Sequence, residues 1–431
     1  MSDPAAQVPA TADANSGATV GIDAARLWST LAETSAFGGT DRGGLHRLAL
    51  SDADAAVRAW LAATARAAGW NVQGDEIGNQ FIVKPGADPY LPPVLIGSHL
   101  DSQPLGGRYD GVYGVLAGLE VLRSLADHGI AHERTIILAN WTNEEGARFS
   151  PSMMGSAVFT GALPLREALA RTDADGATVA AALAGIGADS AAATNRPTAA
   201  GLHATVEIHI EQGPHLEASG TDIGFVTGVQ AIRWLDVRVA GASGHAGTTP
   251  IEHRSDALVA GARLVDVVAR LGDTVDPEIR PTVGELTVLP NSRNVIPGEA
   301  RLAIDLRHPD AEALDRAELQ IRDAAVRIGG ETGTSVDIEV VLVQPAVTFD
   351  TAVLGTIRRA AERLGLSGTE LVSGAGHDAM QLASHVPTAM IFIPCVDGIS
   401  HAEAENITPE WSANGARVLF EVVGDLSGAE R

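Results

Sequence analysis

Four short strand-like runs limit the fold of this 431-residue chain more than any other feature: "PPVLIGSHL", "RTIILANW", "ATVEIHIEQG" and "TAMIFIP". All but "ATVEIHIEQG" are apolar almost throughout instead of alternating, which is the pattern of a strand covered on both faces. Helical periodicity fills the intervals. "DAARLWSTLAETSAFG" and "DADAAVRAWLAATARAAGW" carry apolar residues at helical spacing with Asp near each start. In "GVYGVLAGLEVLRSLADHG", Val112, Val115, Leu116, Leu119 and Leu122 share a face, and Gly129 ends the helix. "NQFIVKPG" reads as a further strand, stopped by Pro-Gly. Strands alternating with helices of this length predict a mostly parallel α/β sheet.

The texture changes near residue 225. "RWLDVRVAG" alternates as a half-exposed strand, "RSDALVAGARLVDVVARLG" is an amphipathic helix, and "TVGELTVLP" and "EARLAIDLRH" are strands. "DAEALDRAELQIRDAAVRIGGETG" is a second helix and "SVDIEVVLV" a last strand. The order β-α-β-β-α-β is that of a ferredoxin-like unit. Beyond about 345 the buried pattern returns, with a helix at 351–364, "TAMIFIP", and a helix from Pro409. The expected fold is therefore α/β: a mixed, mostly parallel sheet flanked by helices, with an inserted ferredoxin-like α+β domain. Residues 22–224 and 344–431 form the first unit and 225–343 the second. Residues 161–202, rich in Ala, Thr and Asp, are expected to be helical, and residues 1–21 to be a disordered tail.

A formal net charge of −24 argues against nucleic acid and anionic membrane as partners. The lone Cys395 rules out an internal disulfide and a thiolate metal cluster. The N-terminal stretch lacks the basic and apolar segments of a signal peptide. No apolar run reaches membrane-spanning length. Cytoplasmic localisation is the default expectation.

In open α/β sheets, ligands bind beyond the carboxyl ends of the strands. His99 and Asp101 follow "VLIG", Glu144 and Glu145 follow "IILANWTN", His209 closes "VEIHI", and His401 lies in a loop after "TAMIFIP". Asp110 sits in "LGGRYDG", where glycines allow close backbone approach. His, Asp and Glu are the nitrogen and oxygen donors that suit zinc, manganese, cobalt or nickel. Each feature has a plain alternative: a hydrogen-bonded packing histidine, a turn aspartate, a solvated pair of glutamates. Their joint placement at strand ends favours a metal site.

"SHLDSQPLGGRYDGVYGVLAGLEVL", "NWTNEEGARFSPSMMGSAVFTG", "HIEQGPHLE", "GHAGTTP", "NVIPGEARLAIDLRH", "SGAGHDAM" and "ISHAEAE" together resemble the amidase, hydantoinase/carbamoylase family of dinuclear metallopeptidases and aminoacylases. The motifs run in order from about residue 22 to about 425. The resemblance implies a zinc-peptidase-like catalytic domain that binds two divalent metal ions per subunit. It implies that Asp110 bridges the ions, that His99 and His401 sit on opposite metals, and that Glu145 ligates one and His209 the other. Asp101 is then expected to orient His99, and Glu144 to act as general base. Substrate contacts are implied for Gln212, Asn294, Arg307 and the backbone at Gly376, with Arg307 clamping a carboxylate. His245 is implied to face the tetrahedral oxyanion from the partner subunit of a homodimer formed through the inserted domain.

The expected activity is hydrolysis of the carbamoyl C–N bond of N-carbamoyl-L-amino acids, giving the amino acid, carbon dioxide and ammonia. β-Ureidopropionase and allantoate amidohydrolase are the nearest alternatives, and an aminoacylase or dipeptidase is more distant. A non-catalytic metal-stabilised binding protein is disfavoured because neither Glu144 nor any ligand is missing. Nucleotide binding is disfavoured because no Lys-Ser/Thr follows the glycine loop.

Overall fold

A computed structural model describes residues 20–187 and 197–430 of the chain. Its strands are β1 (Asn71–Gly74), β2 (Gln80–Lys84), β3 (Val94–His99), β4 (Ile136–Trp141), β5 (Ala204–Ile210), β6 (Ile223–Val229), β7 (Ala231–Ala240) and β8 (Gly244–His245). They continue with β9 (Arg280–Leu289), β10 (Val295–Ile296), β11 (Glu299–His308), β12 (Ser335–Gln344), β13 (Val347–Thr348), β14 (Gly368–Ser373) and β15 (Thr388–Ile393). Among the described residues, nine strands form one sheet in the order β1-β2-β4-β3-β5-β15-β6-β13, with β14 beside β6.

The four runs supply its centre. β3 pairs parallel with β4 and β5, and β5 pairs parallel with β15. Every residue of β3, β4, β5 and β15 is buried. Antiparallel pairs β1–β2, β2–β4, β15–β6 and β13–β6 complete the sheet and make it mixed. Helices Ala24–Thr34, Val112–Asp127 and Pro409–Ser427 pack against one another, the latter two also against sheet strands, while Asp378–Ala383 packs on β15 and β5. Each fully buried Val, Leu or Ile contributes roughly 1.5–3 kcal/mol, so this layered core carries most of the fold's stability.

β7, β9, β11 and β12 form a separate antiparallel sheet in the order β12-β7-β11-β9. The inward residues of β7 alternate with exposed ones, as Leu235, Val237 and Val239 are buried while Trp234, Asp236 and Arg238 are not. Helices Ala257–Ala269 and Ala311–Thr332 cover the inner face and enclose a distinct apolar cluster around Leu264, Leu302, Ile304 and Ile321.

Some elements differ from expectation. β6 lies across the expected change at 225 and pairs with β14 and β15, so the chain changes sheet at Gln230. Only Gln230 separates β6 from β7, and "IGFVTGV" of β6 is absent from the expected strands. β14 carries no apolar run, and its burial pattern is mostly exposed. The described part of residues 161–202 contains two short α-helices, Leu165–Ala170 and Val179–Gly185, and a 3-10 turn, Ala199–Gly201, joined by loops, and residues 188–196 lie outside the described residues. The expected tail lies outside them too, apart from Val20 and Gly21. No helix among the described residues is long and apolar enough to cross a membrane.

Candidate metal centre

The carboxyl ends of the central strands converge on Asp110. His99 is the last residue of β3, Glu144 and Glu145 follow β4, and His209 is the penultimate residue of β5. His401 lies in the loop after β15 and adopts φ 56°. Asp110 precedes the helix Val112–Asp127 through Gly111, whose φ is 64°. A Cβ at Gly111 would lie 2.3 Å from the His99 ring, so glycine is required for Asp110 to approach the imidazole.

Asp110 divides its two oxygens between two donor sets. Oδ1 is 3.0 Å from His209 Nε2 and 3.7 Å from His99 Nε2. Oδ2 is 3.3 Å from His401 Nε2, which is itself 3.6 Å from Glu145 Oε2. His99–Asp110–His209 and Asp110–Glu145–His401 are each spaced to hold one cation. Glu144 Oε2 stands 3.4 Å from His99 Nε2, beside the first of these sets.

The imidazole protons point away from this centre. His99 Nδ1 is 2.9 Å from the Asp101 main-chain carbonyl, and His209 Nδ1 is 2.9 Å from the Ile210 carbonyl. A carbonyl oxygen only accepts, so each Nδ1 carries a proton and Nε2 is the ring atom left facing Asp110 Oδ1, ready to bind a cation once it is unprotonated. His209 Nε2 also accepts the Gly111 N–H at 3.0 Å. Metal-ligating histidines are held in this way, with the second ring nitrogen donating to a carbonyl. Lone pairs of two imidazoles and a carboxylate facing one another fit a cation between them.

In the metal-free protein the rings differ in protonation. Burial lowers the His99 imidazole to about 4, so that ring is neutral. Burial opposes charge on His209 as well, but Asp110 overrides it and raises that ring to about 9. The hydrogen bond to Asp110 raises His401 likewise to about 9. Burial pushes the Glu145 carboxyl up to about 8, with Asp110 adding to the effect. Burial and then the Asp378, Glu145, Asp101 and Asp110 carboxylates push Glu144 well above the usual range. So many carboxylates crowded out of water favour a bound positive charge.

The remaining expected residues are distributed unevenly. Asp101 faces His99 with its main-chain oxygen, while its carboxylate is 3.8 Å from Nδ1 and instead accepts the N–H groups of Glu144 and Glu145, each at 3.3 Å. Its side chain therefore orients the glutamates more directly than the histidine. Gln212 is within the centre: Nε2 donates to Asp110 Oδ2 at 2.8 Å, from a backbone with φ 56°. Arg307 is held by Asp305, with Nη2 to Oδ2 at 2.8 Å, and its Nη1 donates to the Gly374 carbonyl at 2.8 Å, two residues from Gly376.

His245 and Asn294 lie together elsewhere. β8 pairs with β10, which sets His245 opposite Val295, and Ala246 N–H donates to the Asn294 carbonyl. The exposed His245 accepts the N–H groups of Gly247 and Thr248 at Nδ1, 3.1 and 3.3 Å away. Its proton is thereby placed on Nε2, facing outward as a donor. Among the described residues, no hydrogen bond or ion pair joins His245 or Asn294 to the five ligand candidates.

Sequence reasoning passed over several neighbours. Gln103 holds both Glu145 oxygens, with N–H to Oε1 at 3.0 Å and Nε2 to Oε2 at 2.8 Å. The His377 ring packs on His209 with centroids 4.6 Å apart. Glu207 is bound by Ser98 Oγ at 2.7 Å and Ala379 N–H at 2.9 Å. Glu405 accepts the Asp110 N–H at 3.0 Å. Gln103, His377 and Glu405 were within the quoted motifs; nothing in their spacing distinguished them from ordinary polar residues.

A family model described as peptidase family M20/M25/M40 matches residues 95–425. The chain belongs to this peptidase family. An N-carbamoyl-L-amino-acid amidohydrolase of Rhizobium meliloti is 43% identical over 404 residues, covering 93% of this chain and 96% of that one. The allantoate amidohydrolase of Bacillus subtilis is 32% identical over 400 residues, covering 91% and 95%. The crystal structure of an amidase of the hydantoinase/carbamoylase family from Burkholderia multivorans superposes with a TM-score of 0.88 at 46% identity, covering 95% of this chain and 99% of that chain. This M20/M25/M40 chain thus shares both sequence and three-dimensional fold with hydantoinase/carbamoylase amidases over nearly its whole length.

Proposed function

We propose that the protein is a metal-dependent amidohydrolase that cleaves the carbamoyl C–N bond of N-carbamoyl-L-amino acids. The observation that carries this reading is Asp110, whose two oxygens serve two donor sets beside Glu144. His99, Asp110 and His209 would hold one divalent ion, and Asp110, Glu145 and His401 the other, as zinc, manganese, cobalt or nickel. Bound ions of this kind lower the pKa of water and polarise a scissile carbonyl.

The chain's own groups supply the rest. Glu144, tied at its backbone by Asp101 and free of the two ligand sets, takes the proton of the attacking water at its carboxylate. It returns that proton to the leaving nitrogen, so that the C–N bond breaks to a free amine and carbamate. Carbamate then yields carbon dioxide and ammonia. Arg307, already oriented by Asp305, pairs with the substrate carboxylate. Gln212, Asn294 and the backbone at Gly376 hold the substrate by hydrogen bonds.

His245 is assigned to the oxyanion, and its outward Nε2–H suits a donor for developing negative charge. It is assigned to act in trans, on the metal pair of the partner subunit. With the boundary moved to Gln230, residues 22–229 and 345–431 are assigned to a catalytic domain and 230–344 to a lid and dimerisation domain, with a homodimer of cytoplasmic location.

The test is ammonia release with each candidate metal added. The panel holds N-carbamoyl-L- and D-amino acids, N-carbamoyl-β-alanine, allantoate, an N-acetyl amino acid and a dipeptide. N-carbamoyl-L-amino acids are expected to be turned over fastest. Turnover of allantoate alone would move the assignment to that branch, and turnover of the dipeptide alone would overturn it.

A further inference from the structure

Glu405 is 2% exposed, and among the described residues no ion pair to it is found. A carboxylate removed from water without a cation partner is costly unless its lone pairs are filled. Here they are filled by the segment that presents Asp110. Oε1 accepts the Tyr109 and Asp110 N–H groups, both at 3.0 Å. Oε2 accepts the Ser400 hydroxyl at 3.1 Å, and that same hydroxyl lies 3.2 Å from Asp110 Oδ2. Gly107 makes the room: a Cβ there would lie 1.9 Å from the carboxyl carbon.

Glu405 belongs to the loop of His401. Its own N–H donates to the Ala402 carbonyl, and the next residue, Asn406, accepts from Val396 across the base of the loop. One side chain therefore joins two loops nearly three hundred residues apart in sequence, each carrying one donor of the Asp110–Glu145–His401 set.

We propose that Glu405 is a positioning residue that fixes Asp110 relative to His401 and so sets the affinity of the second cation position. The proposal rests on the dinuclear reading above. It attributes the effect to reach and acceptor geometry, not to charge. Glu405→Gln keeps the length and an acceptor oxygen for the two amides. Glu405→Asp keeps the charge but falls one methylene short.

The experiment uses manganese(II) alone as probe. Wild type, E405Q and E405D are loaded, exposed to graded chelator, and read by elemental analysis and by electron paramagnetic resonance. Wild type is expected to hold two manganese ions with an exchange-coupled spectrum, and E405Q to match it within about threefold in chelator concentration. E405D is expected to keep one ion, with the six-line spectrum of isolated manganese, and to bind the second about tenfold more weakly or worse. Ser400→Ala, which deletes the hydroxyl shared by Glu405, Asp110 and Gln212 and guards against misfolding of E405D, is expected to weaken the same ion by about threefold or more without changing the metal-free melting temperature. A wild-type manganese pair in both E405D and Ser400→Ala would overturn the proposal, as would E405Q impaired as much as E405D. Failure of wild type itself to bind a pair would instead overturn the dinuclear reading.

Discussion

Asp110 Oδ1 stands 3.0 Å from His209 Nε2 although the proton of that imidazole points the other way, at the Ile210 carbonyl. Two acceptor atoms in contact need a positive charge between them. In the free protein a second proton on His209 supplies it, and a divalent ion would replace that proton.

Metal removal is therefore expected to cost both activity and stability. A ligand present at a hundred times its dissociation constant stabilises the state that binds it by about 2.7 kcal/mol. Thermal melts with and without manganese, after exhaustive chelation, should show a clear rise in Tm on adding metal and recovery of ammonia release. An unchanged Tm together with full activity in chelator would sink the metal assignment.

Glu144 and Asp110 should separate catalysis from binding. Glu144→Gln is expected to retain both ions and to lower kcat by about a hundredfold to ten-thousandfold. Asp110→Ala is expected to lose metal, because its oxygens serve both donor sets. Elemental analysis beside steady-state kinetics checks this, and metal loss in Glu144→Gln would show that the two roles were assigned wrongly.

Arg307 meets Asp305 along one edge of its guanidinium and the Gly374 carbonyl with Nη1. Lysine cannot reproduce that fork. Arg307→Lys is expected to lower kcat/KM for an N-carbamoyl-L-amino acid by about tenfold or more, a loss of about 1.4 kcal/mol or greater. Amides lacking the carboxylate should be affected far less. Equal losses on both substrates would remove the clamp role.

His245 tests whether two copies share a site. Glu144→Gln and His245→Ala, each inactive alone, are unfolded together and refolded. If His245 acts in trans, each mixed dimer regains one intact site. Random pairing then restores roughly a quarter of wild-type activity, for a symmetric dimer with independent sites. No recovery, with mixed dimers verified by mass spectrometry, returns His245 to its own chain.

What the sequence determined by itself was local. Apolar runs identified β3, β4 and β15, because a strand buried on both faces has few polar positions to alternate, whereas β5 alternates in sequence and is nonetheless buried throughout. The same runs located His99, Glu144, Glu145, His209 and His401 at strand ends, and alternation separated β7 and β11 from the buried strands. Only the tertiary structure decided that Asp110 offers one oxygen to His209 and the other to His401, that Asp101 turns its carbonyl rather than its carboxylate to His99, and that Glu405 grips the Asp110 backbone. It also decided that β6 joins the large sheet beside β14 and β15. Periodicity records which face of an element is buried, but a hydrogen bond between residues 110 and 405 depends on how distant loops close over the sheet, and no spacing along the chain encodes that distance.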